Sequence, residues 1–295
     1  MSKVAILTDS NSGITLEEGK KHGIHVVPMP FIINGEEFLE EISLSQEQFY
    51  EKLKGKANIS TSQPSAFSLT DTWDRLLKDY DEIIFIPMSS GLSATCESAE
   101  RLAQGEKYLG KVHVVDNQRI SVTQKSSCYE AKYLIDQGKS SQEVVDYLMK
   151  SKMDSSIYIM VDTLEYLKKG GRITPAAAAL GALLNIKPVL QIHGEKLDSY
   201  CKVLSIRVAR IKMIQAVKKD LETVYKDLYE QGKMILAIAH TENYDSAMDF
   251  KKQVQEAFPD MKIVFVDPLS LSVSCHIGPG SLALVCAPNI DNCIQ

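Results

Sequence analysis

The order of apolar and polar residues along the first half of the chain predicts alternating strands and helices. Short apolar runs typical of buried strands occur at residues 4–7, 25–33, 82–87 and 111–115. Amphipathic or capped segments that favour helices lie between and after them, at residues 15–23, 45–53, 66–80, 93–103, 123–136 and 141–150. The polar stretch 58–65 is expected to be a loop. Such alternation is typical of a parallel sheet flanked by helices.

The second half of the chain continues this alternation with one interruption. Strands are predicted at 157–161, 235–240 and 262–267, and helices at 164–169, 207–229 and 244–258. Thr174 and Pro175 start a further helix, because proline suits the first helical position. The runs 187–192 and 200–204 are expected to pair as antiparallel strands. The tail 270–287 mixes small, polar and apolar residues and predicts no single element.

Length and a polar break indicate two domains. A chain of 295 residues exceeds one average domain, and the polar stretch 151–156 separates two strand–helix cycles. We therefore predict an N-terminal α/β domain over residues 1–152 and a C-terminal α/β domain over residues 153–295. Three polar loops, at 8–10, 61–65 and 89–93, are expected at the carboxyl edge of the predicted sheet. Open α/β sheets bind ligands at the carboxyl ends of their strands, so these loops are the first candidate site.

Composition and charge exclude several classes of protein. Hydrophobic residues make up 44% of the chain and charged residues 24%, which is typical of a folded globular protein. With 33 basic and 38 acidic side chains the net charge is -5, and no nucleic-acid partner is expected. The longest apolar stretch, 176–186, is too short to span a bilayer. The first residues lack the pattern of a signal peptide, and we expect a cytoplasmic protein.

Cysteines and carboxylates predict no metal site. The six cysteines are scattered without a C-x-x-C pair, which favours reduced thiols without a disulfide framework or a zinc site. Asp9, Asp116 and Asp267 each end a predicted strand alone. We therefore expect no metal.

The loop 89–93 has the features of an anion site. It joins a buried strand to a helix, so backbone N–H groups and hydroxyls converge on a helix N-terminus. Alternatively, Ser93 only caps its helix, and Thr61 with Ser62 only forms a turn before Pro64. His276 lies in H-x-G-P-G, which fixes a tight backbone, although a lone histidine is commonly an ordinary core or surface residue.

A serine hydrolase is the alternative enzyme hypothesis. Residues 91–95, GLSAT, nearly match the G-x-S-x-G nucleophile elbow. Ser93, Asp267 and His276 follow one another in the chain order of nucleophile, acid and base. However, Thr95 replaces the second glycine, whose small size relieves crowding at that sharp turn. A third class, a structural or regulatory module without ligand, also stays open.

Taken together, the polar motifs resemble one known family. They run in order from the first strand almost to the C-terminus, at 8–10 (TDS), 61–65 (TSQPS), 89–93 (SSGLS), 167–173 (LKKGGRI), 187–190 (KPVL) and 276–280 (HIGPG). In this order they resemble the DegV family of bacterial fatty-acid-binding proteins, the carrier subunits of fatty acid kinase.

The resemblance implies a two-domain α/β protein with a long-chain acyl group buried between its domains. The family's carboxylate-binding hydroxyls fall on Ser93 and on Thr61 or Ser62, and its supporting side chains fall on Arg172 and His276. It also implies a carrier without catalysis or cofactor, whose ligand is the fatty acid. A separate kinase would convert that fatty acid to an acyl phosphate for phospholipid synthesis. The expected carrier is a monomer that contacts the membrane transiently.

The acyl chain should dominate affinity, while the polar cluster sets orientation. About 14 buried methylenes at ~0.8 kcal/mol each give on the order of 11 kcal/mol before ordering costs. Each charge-assisted hydrogen bond adds roughly 1.5–3 kcal/mol. Where the family often continues S-G-T-Y-Q-S-A, this chain has S-A-T-C-E-S-A over 93–99. Ala94 and Glu97 therefore bear on the acyl-chain preference and the kinase contact.

A basic helix predicts a docking surface for the kinase. Arg207 and Arg210 are three residues apart and share a helix face. Cations at a helix N-terminus oppose its dipole, which is an argument for a functional role, while a simple solvated face remains the default alternative. We expect Arg207 and Arg210 to dock the kinase together with Arg172.

Overall fold

A computed structural model describes residues 2–55, 57–180 and 186–294 of the chain. The chain divides into two compact units. The first comprises Met1–Lys152 together with Ser270–Ser272, and the second comprises Met153–Leu269 together with Val273–Gln295. The sequence predicts residues 270–272 in the second domain, whereas they group with the first unit.

The N-terminal unit alternates strands and helices. Its strands are β1 (Val4–Asp9), β2 (Ile24–Val27), β3 (Pro30–Ile33), β4 (Glu36–Leu39), β5 (Ile59–Thr61), β6 (Glu82–Ile86) and β7 (Val112–Val114). Its helices are α1 (Leu16–His22), α2 (Gln46–Lys54), α3 (Ala66–Leu76), α4 (Thr95–Ala103), α5 (Ser121–Asp136) and α6 (Ser141–Lys150).

The predicted parallel sheet is confirmed. Its strands lie in the order β2-β1-β6-β7, and every neighbouring pair is parallel. All six residues of β1 are buried, as expected for a strand covered on both faces. Helix α1 begins where predicted, since the Thr15 hydroxyl accepts from the Glu18 N–H. It ends at Gly23, whose φ of 67° suits glycine.

An apolar core holds the helices of this unit against the sheet. Trp73 of α3 is fully buried and packs edge-on against Phe85 of β6 and against Tyr108, with ring centroids 6.5 and 5.1 Å apart. Leu69 of α3, Ala99 of α4 and several residues of the sheet belong to the same cluster. This packing fixes α3 and α4, the two helices that follow the candidate loops.

Three expectations for this unit were wrong in detail. Within the predicted loop 58–65, Ile59–Thr61 forms strand β5. This strand pairs antiparallel with β3, which lies between β4 and β5 in a separate three-stranded sheet. A three-residue strand is too short to show an alternating pattern. The run 25–33 is two strands, because Pro28 and Pro30 interrupt the backbone hydrogen bonding of a single strand. Helix α4 begins at Thr95 rather than at residue 93.

The C-terminal unit is also mixed α/β. Its strands are β8 (Ser156–Met160), β9 (Lys187–Ile192), β10 (Asp198–Val203), β11 (Met234–His240), β12 (Ile263–Pro268) and β13 (Leu282–Pro288). Its helices are α7 (Glu165–Gly170), α8 (Pro175–Ala179), α9 (Ile206–Thr223), α10 (Lys226–Glu230), α11 (Tyr244–Ala257) and α12 (Leu271–Ile277). Of the apolar stretch 176–186, residues 181–185 lie outside the described residues.

The second sheet has the order β10-β9-β8-β13-β11-β12. The antiparallel pair of β9 and β10 was predicted, and β11 and β12 are parallel. Strand β13 was missed, although it lies antiparallel between β8 and β11 and is buried throughout. Its residues form an apolar run inside a tail of small residues, which obscures the strand pattern.

The long helix predicted over 207–229 is divided into α9 and α10. Tyr225 lies at the division and is buried, with its hydroxyl 2.9 Å from the Ser156 hydroxyl. This buried hydrogen bond turns the chain toward the sheet. Among the described residues, no helix is both long and apolar enough to cross a bilayer. All six cysteines are free thiols.

Candidate functional site

A buried carboxylate organises the carboxyl edge of the parallel sheet. Asp9 ends β1 with no exposed surface. Its oxygens accept from the Met88 N–H at 2.9 Å, the Asn11 N–H at 3.1 Å and the Gln124 side-chain amide at 3.1 Å. Burial raises the pKa of Asp9, while these hydrogen bonds lower it. Asp9 thereby joins the end of β1 to the loop that follows β6.

That loop presents the hydroxyl of Ser93 at the beginning of α4. Ser93 Oγ lies 2.9 Å from Thr95 Oγ1 and accepts from the Thr95 N–H at 3.2 Å. Ser93 is half-buried and Thr95 is buried. Ser93 therefore does not cap α4 in the usual way, since the N-cap residue is Ala94 and makes no side-chain hydrogen bond.

The first turn of α4 leaves donors available. The N–H groups of Cys96 and Glu97 make no hydrogen bond within the described residues, as is normal for a helix N-terminus. The Glu97 carboxylate, a departure from the family pattern, pairs with Arg101 at 3.2 Å on the exposed surface. Hydroxyls and N–H groups here can bind an anion.

The hydroxyl pair at the end of β5 is unequal. Thr61 is half-buried and lies on the same side of β5 as the buried Ile59, because side chains alternate along a strand. Ser62 is exposed, and its hydroxyl donates to the Gln63 carbonyl at 3.2 Å. The Gln63 side chain accepts from Ser98 of α4 at 3.1 Å, so the segment after Thr61 contacts the helix after Ser93.

The C-terminal unit brings Arg172 and His276 together. Arg172 follows α7 and donates to the Gly170 carbonyl, while His276 lies in the last turn of α12 against Gly170. Burial, and after it the Arg172 cation, lowers the pKa of His276 to about 4. The imidazole is therefore neutral at neutral pH, with one nitrogen as donor and the other as acceptor.

The turn after His276 is held by close packing. Gly278 has a φ of 78°, and a side chain there would overlap the ring of Tyr166 in α7. The glycine thus lets the end of α12 lie directly on α7. The H-x-G-P-G motif was expected to fix a tight backbone around the histidine, and the structure gives this reason for its first glycine.

The electrostatics of His276 differ from those of a hydrolase base. A catalytic triad needs an anion that stabilises the imidazolium. The charge that lowers the pKa of His276 is the Arg172 cation, whereas the Asp267 carboxylate acts on His240.

Some residues of the site escaped the sequence analysis. Thr95 was considered only as a replaced glycine, yet it is the hydroxyl partner of Ser93. Gln124 donates to both Thr8 and Asp9 from the buried face of α5. A polar residue on the inner face of a predicted helix was the available signal. Within the described ranges, no group of three or more His, Cys, Asp or Glu side chains forms a metal site.

Comparison with known proteins gives relatives along nearly the whole chain. The family model described as "Uncharacterised protein, DegV family" matches residues 3–289. A DegV domain-containing protein of Clostridium acetobutylicum is 28% identical over 287 residues, covering 97% of this chain and 99% of that protein. Protein DegV of Bacillus subtilis is 28% identical over 285 residues, covering 95% and 98%.

Solved structures share the fold. A fatty-acid-binding DegV family protein from Thermus thermophilus has a TM-score of 0.85 at 26% identity, covering 97% of this chain and 99% of that one. DegV of Bacillus subtilis, described as a fatty acid binding protein, has a TM-score of 0.84 at 26% identity, covering 98% and 100%. A stearic-acid-binding protein from Eubacterium ventriosum has a TM-score of 0.88 at 21% identity, which shows the fold alone.

Proposed function

Since the chain belongs to the DegV family, we propose that it binds a long-chain fatty acid by its carboxylate. The observation that carries this proposal is the hydroxyl pair of Ser93 and Thr95, 2.9 Å apart at the beginning of α4. The two solved DegV proteins at 26% identity, both described by fatty acid binding, support the class of ligand.

The N-terminal unit supplies donors to one end of the ligand. Ser93, together with the unpaired N–H groups of the first turn of α4, would donate to the carboxylate. Thr61 is the better second hydroxyl, because it is half-buried on the side of β5 that carries the buried Ile59, whereas Ser62 is exposed. A buried carboxylate needs several donors, since an unpaired buried charge is strongly unfavourable.

Arg172 and His276 supply the remaining polar groups. The neutral His276 imidazole can donate a hydrogen bond to a carboxylate without itself carrying charge, and Arg172 supplies the cation. Each such bond to a charged group contributes roughly 1.5–3 kcal/mol. The acyl chain contributes more, on the order of 11 kcal/mol for about 14 buried methylenes before ordering costs. Loss of one donor should therefore weaken binding without abolishing it.

We propose further that this protein is a carrier without catalysis or cofactor. A separate kinase would transfer the γ-phosphoryl group of ATP to the carboxylate oxygen, which forms the acyl phosphate and releases ADP. The exposed Arg207, together with Arg172, would dock an acidic surface of that kinase. The carrier would work as a cytoplasmic monomer in phospholipid synthesis, with transient membrane contact for loading.

Native mass spectrometry of protein purified from a bacterial host tests the binding proposal. We expect a bound long-chain fatty acid in the wild-type protein and lower occupancy in Ser93→Ala and in Thr61→Ala. Ser90→Ala is the matched control, because the Ser90 hydroxyl donates to Asp116 at 2.6 Å instead. Unaltered occupancy in the Ser93→Ala/Thr61→Ala double variant would show that the carboxylate binds elsewhere.

Measurements on the same purified protein distinguish the carrier from a hydrolase and from a module without ligand. Stoichiometric labelling of Ser93 by a fluorophosphonate, together with turnover of an ester, would replace the carrier proposal by a hydrolase. Absence of both bound lipid and label would leave a structural or regulatory module.

A further inference from the structure

An open groove lies beside strand β2 in the N-terminal unit, away from the hydroxyl residues discussed above. Its volume is about 590 Å³, within the range of ligand sites. Residues of α1, β2, α3 and the segment after β4 line it, and the lining excludes Thr61, Ser62 and Ser93. We call this feature the β2 groove.

The lining of the β2 groove is cationic. Its charged residues are Lys20 and Arg75, and no Asp or Glu lines it, although the chain as a whole has a net charge of -5; burial lowers the pKa of His25, which lines the groove as a neutral ring. Lys20 makes no ion pair within the described residues. Arg75 pairs with Asp71 at 3.1 Å, where both side chains are at least half exposed. Water competes effectively for such an exposed pair, so Arg75 stays available to another carboxylate.

The groove also exposes the free edge of a sheet. Strand β2 is the last strand of the parallel sheet and pairs only with β1. Apart from the ladder to β1, His25 and Val26 make no backbone hydrogen bond within the described residues. An edge strand of this kind offers a row of N–H and C=O groups to an added strand.

Exposed aliphatic side chains complete the groove. Leu16 is 39% exposed and Ile42 is 60% exposed, and both line it. Val26 and Leu39 are half-buried between them. Aliphatic surface next to an open strand edge suits a chain that alternates apolar and polar side chains.

From these features we propose that the β2 groove binds an extended, acidic segment of a partner protein as an added strand along β2. The peptide backbone would pair with the free edge of β2. Its acidic side chains would meet Lys20 and Arg75, and its aliphatic side chains would contact Leu16 and Ile42. A small anionic amphiphile could use the cations and the apolar surface, but it has no backbone for the strand edge.

Selection from a displayed library of nine-residue peptides tests the proposal. The library is selected on the wild-type protein and then depleted on Lys20→Glu/Arg75→Glu. We expect the remaining peptides to alternate Asp or Glu with Val, Ile or Leu. Their affinity, measured by fluorescence anisotropy, should fall at least tenfold on the double variant. Lys150→Glu/Lys219→Glu is the control, since both lysines are exposed, lie outside the groove and give the same change of charge.

Two further measurements decide how the peptide binds. N-methylation of one of the two alternating sets of peptide bonds should abolish binding, and hydrogen exchange should slow at the one amide of the pair His25 and Val26 that points away from β1. The proposal is overturned if no selected peptide depends on Lys20 and Arg75, or if both N-methylated forms bind as well as the unmodified peptide. It is also overturned if decyl sulfate, but no peptide, binds in a way that depends on these two residues.

Discussion

Gly170 and His276 lie in direct contact, because a methyl group on Gly170 would overlap the imidazole ring. Gly170 is the last residue of α7, and His276 is in the last turn of α12. The missing side chain of Gly170 therefore determines where the imidazole lies. Glycine at this position has a packing role, while Gly171, with a φ of 67°, has a conformational one.

Substitution of these two glycines should separate the two roles. Gly170→Ala should displace His276 and lower fatty-acid occupancy severalfold, measured by native mass spectrometry. Gly171→Ala should keep the occupancy but lower the free energy of unfolding by ~1–2 kcal/mol, because alanine is strained in the left-handed region. Full occupancy in Gly170→Ala would contradict the proposed role of His276.

The protonation of His276 can be measured directly. Burial, followed by the Arg172 cation, lowers its pKa to about 4. NMR titration of the histidine rings should find one that stays neutral well below pH 6, assigned by its loss in His276→Gln. Arg172→Met should raise that pKa, because it removes the cation. An imidazole of His276 that titrates near the ordinary value of about 6.5 would show that it is solvated.

Acid should destabilise the protein through the same group. The pKa of His276 is depressed in the folded state, so its contribution to stability is present above the unfolded value and is lost as the pH falls toward about 4. His276→Gln should therefore lose less stability than the wild type between pH 6.5 and 4. Urea unfolding at both pH values measures this difference.

The sequence was sufficient for features that depend on local pattern. The apolar run that begins β1 and the Thr15 cap of α1 follow from residues a few positions apart. The position of Ser93 between a strand and a helix follows in the same way. Order within the parallel sheet is consistent with the rule that sequential strands lie near one another.

Contacts between distant residues could not be predicted in this way. Glu40 accepts a hydrogen bond from the Leu271 N–H at 2.5 Å, across 231 positions of sequence. The contact of Arg210 with Phe250 likewise depends on how α9 and α11 pack. Strand β13 has no alternating pattern because both its faces are covered. Tertiary packing, rather than local preference, decides each of these.

Glu40 should make stability decrease as the pH rises. Its carboxylate also accepts from Ser10 Oγ at 2.8 Å, and burial raises its pKa to about 7. Between pH 5 and 8 the unfolded chain releases the proton before the folded chain does, so the free energy of unfolding falls. Glu40→Gln should remove this pH-dependent decrease in the free energy of unfolding, which amounts to about 2 kcal/mol between pH 5 and 8.

Chemical denaturation of Glu40→Gln and wild type at pH 5 and pH 8 checks this prediction. Glu37→Gln is the control, because Glu37 is exposed on the neighbouring strand β4. Parallel stability profiles of the wild type and Glu40→Gln would mean that Glu40 is ionised in the folded protein across the whole range.

The two arginines expected to dock the kinase have different surroundings. Arg210 Nη2 donates to the carbonyl and the hydroxyl of Ser246 at 2.9 and 2.7 Å, and its guanidinium lies 5.7 Å from the centre of the Phe250 ring. Arg210 thus holds α9 to α11. Arg207 is exposed and makes no ion pair within the described part of the chain.

Arg210→Ala should therefore change the stability of the protein, whereas Arg207→Ala should change its phosphorylation by the kinase. Arg210→Ala should lower the free energy of unfolding by about 1–3 kcal/mol, because it removes hydrogen bonds from a charged donor and a cation–π contact.

Arg207→Ala should leave stability and lipid occupancy unchanged but slow acyl-phosphate formation by the kinase. The effect should shrink at high salt, since exposed charges are screened within ~10 Å at ~0.1 M salt. Lys218→Ala, on the same helix and paired with Glu222 at 3.9 Å, is the control. Equal phosphorylation rates for Arg207→Ala and the control at low salt would exclude docking through Arg207.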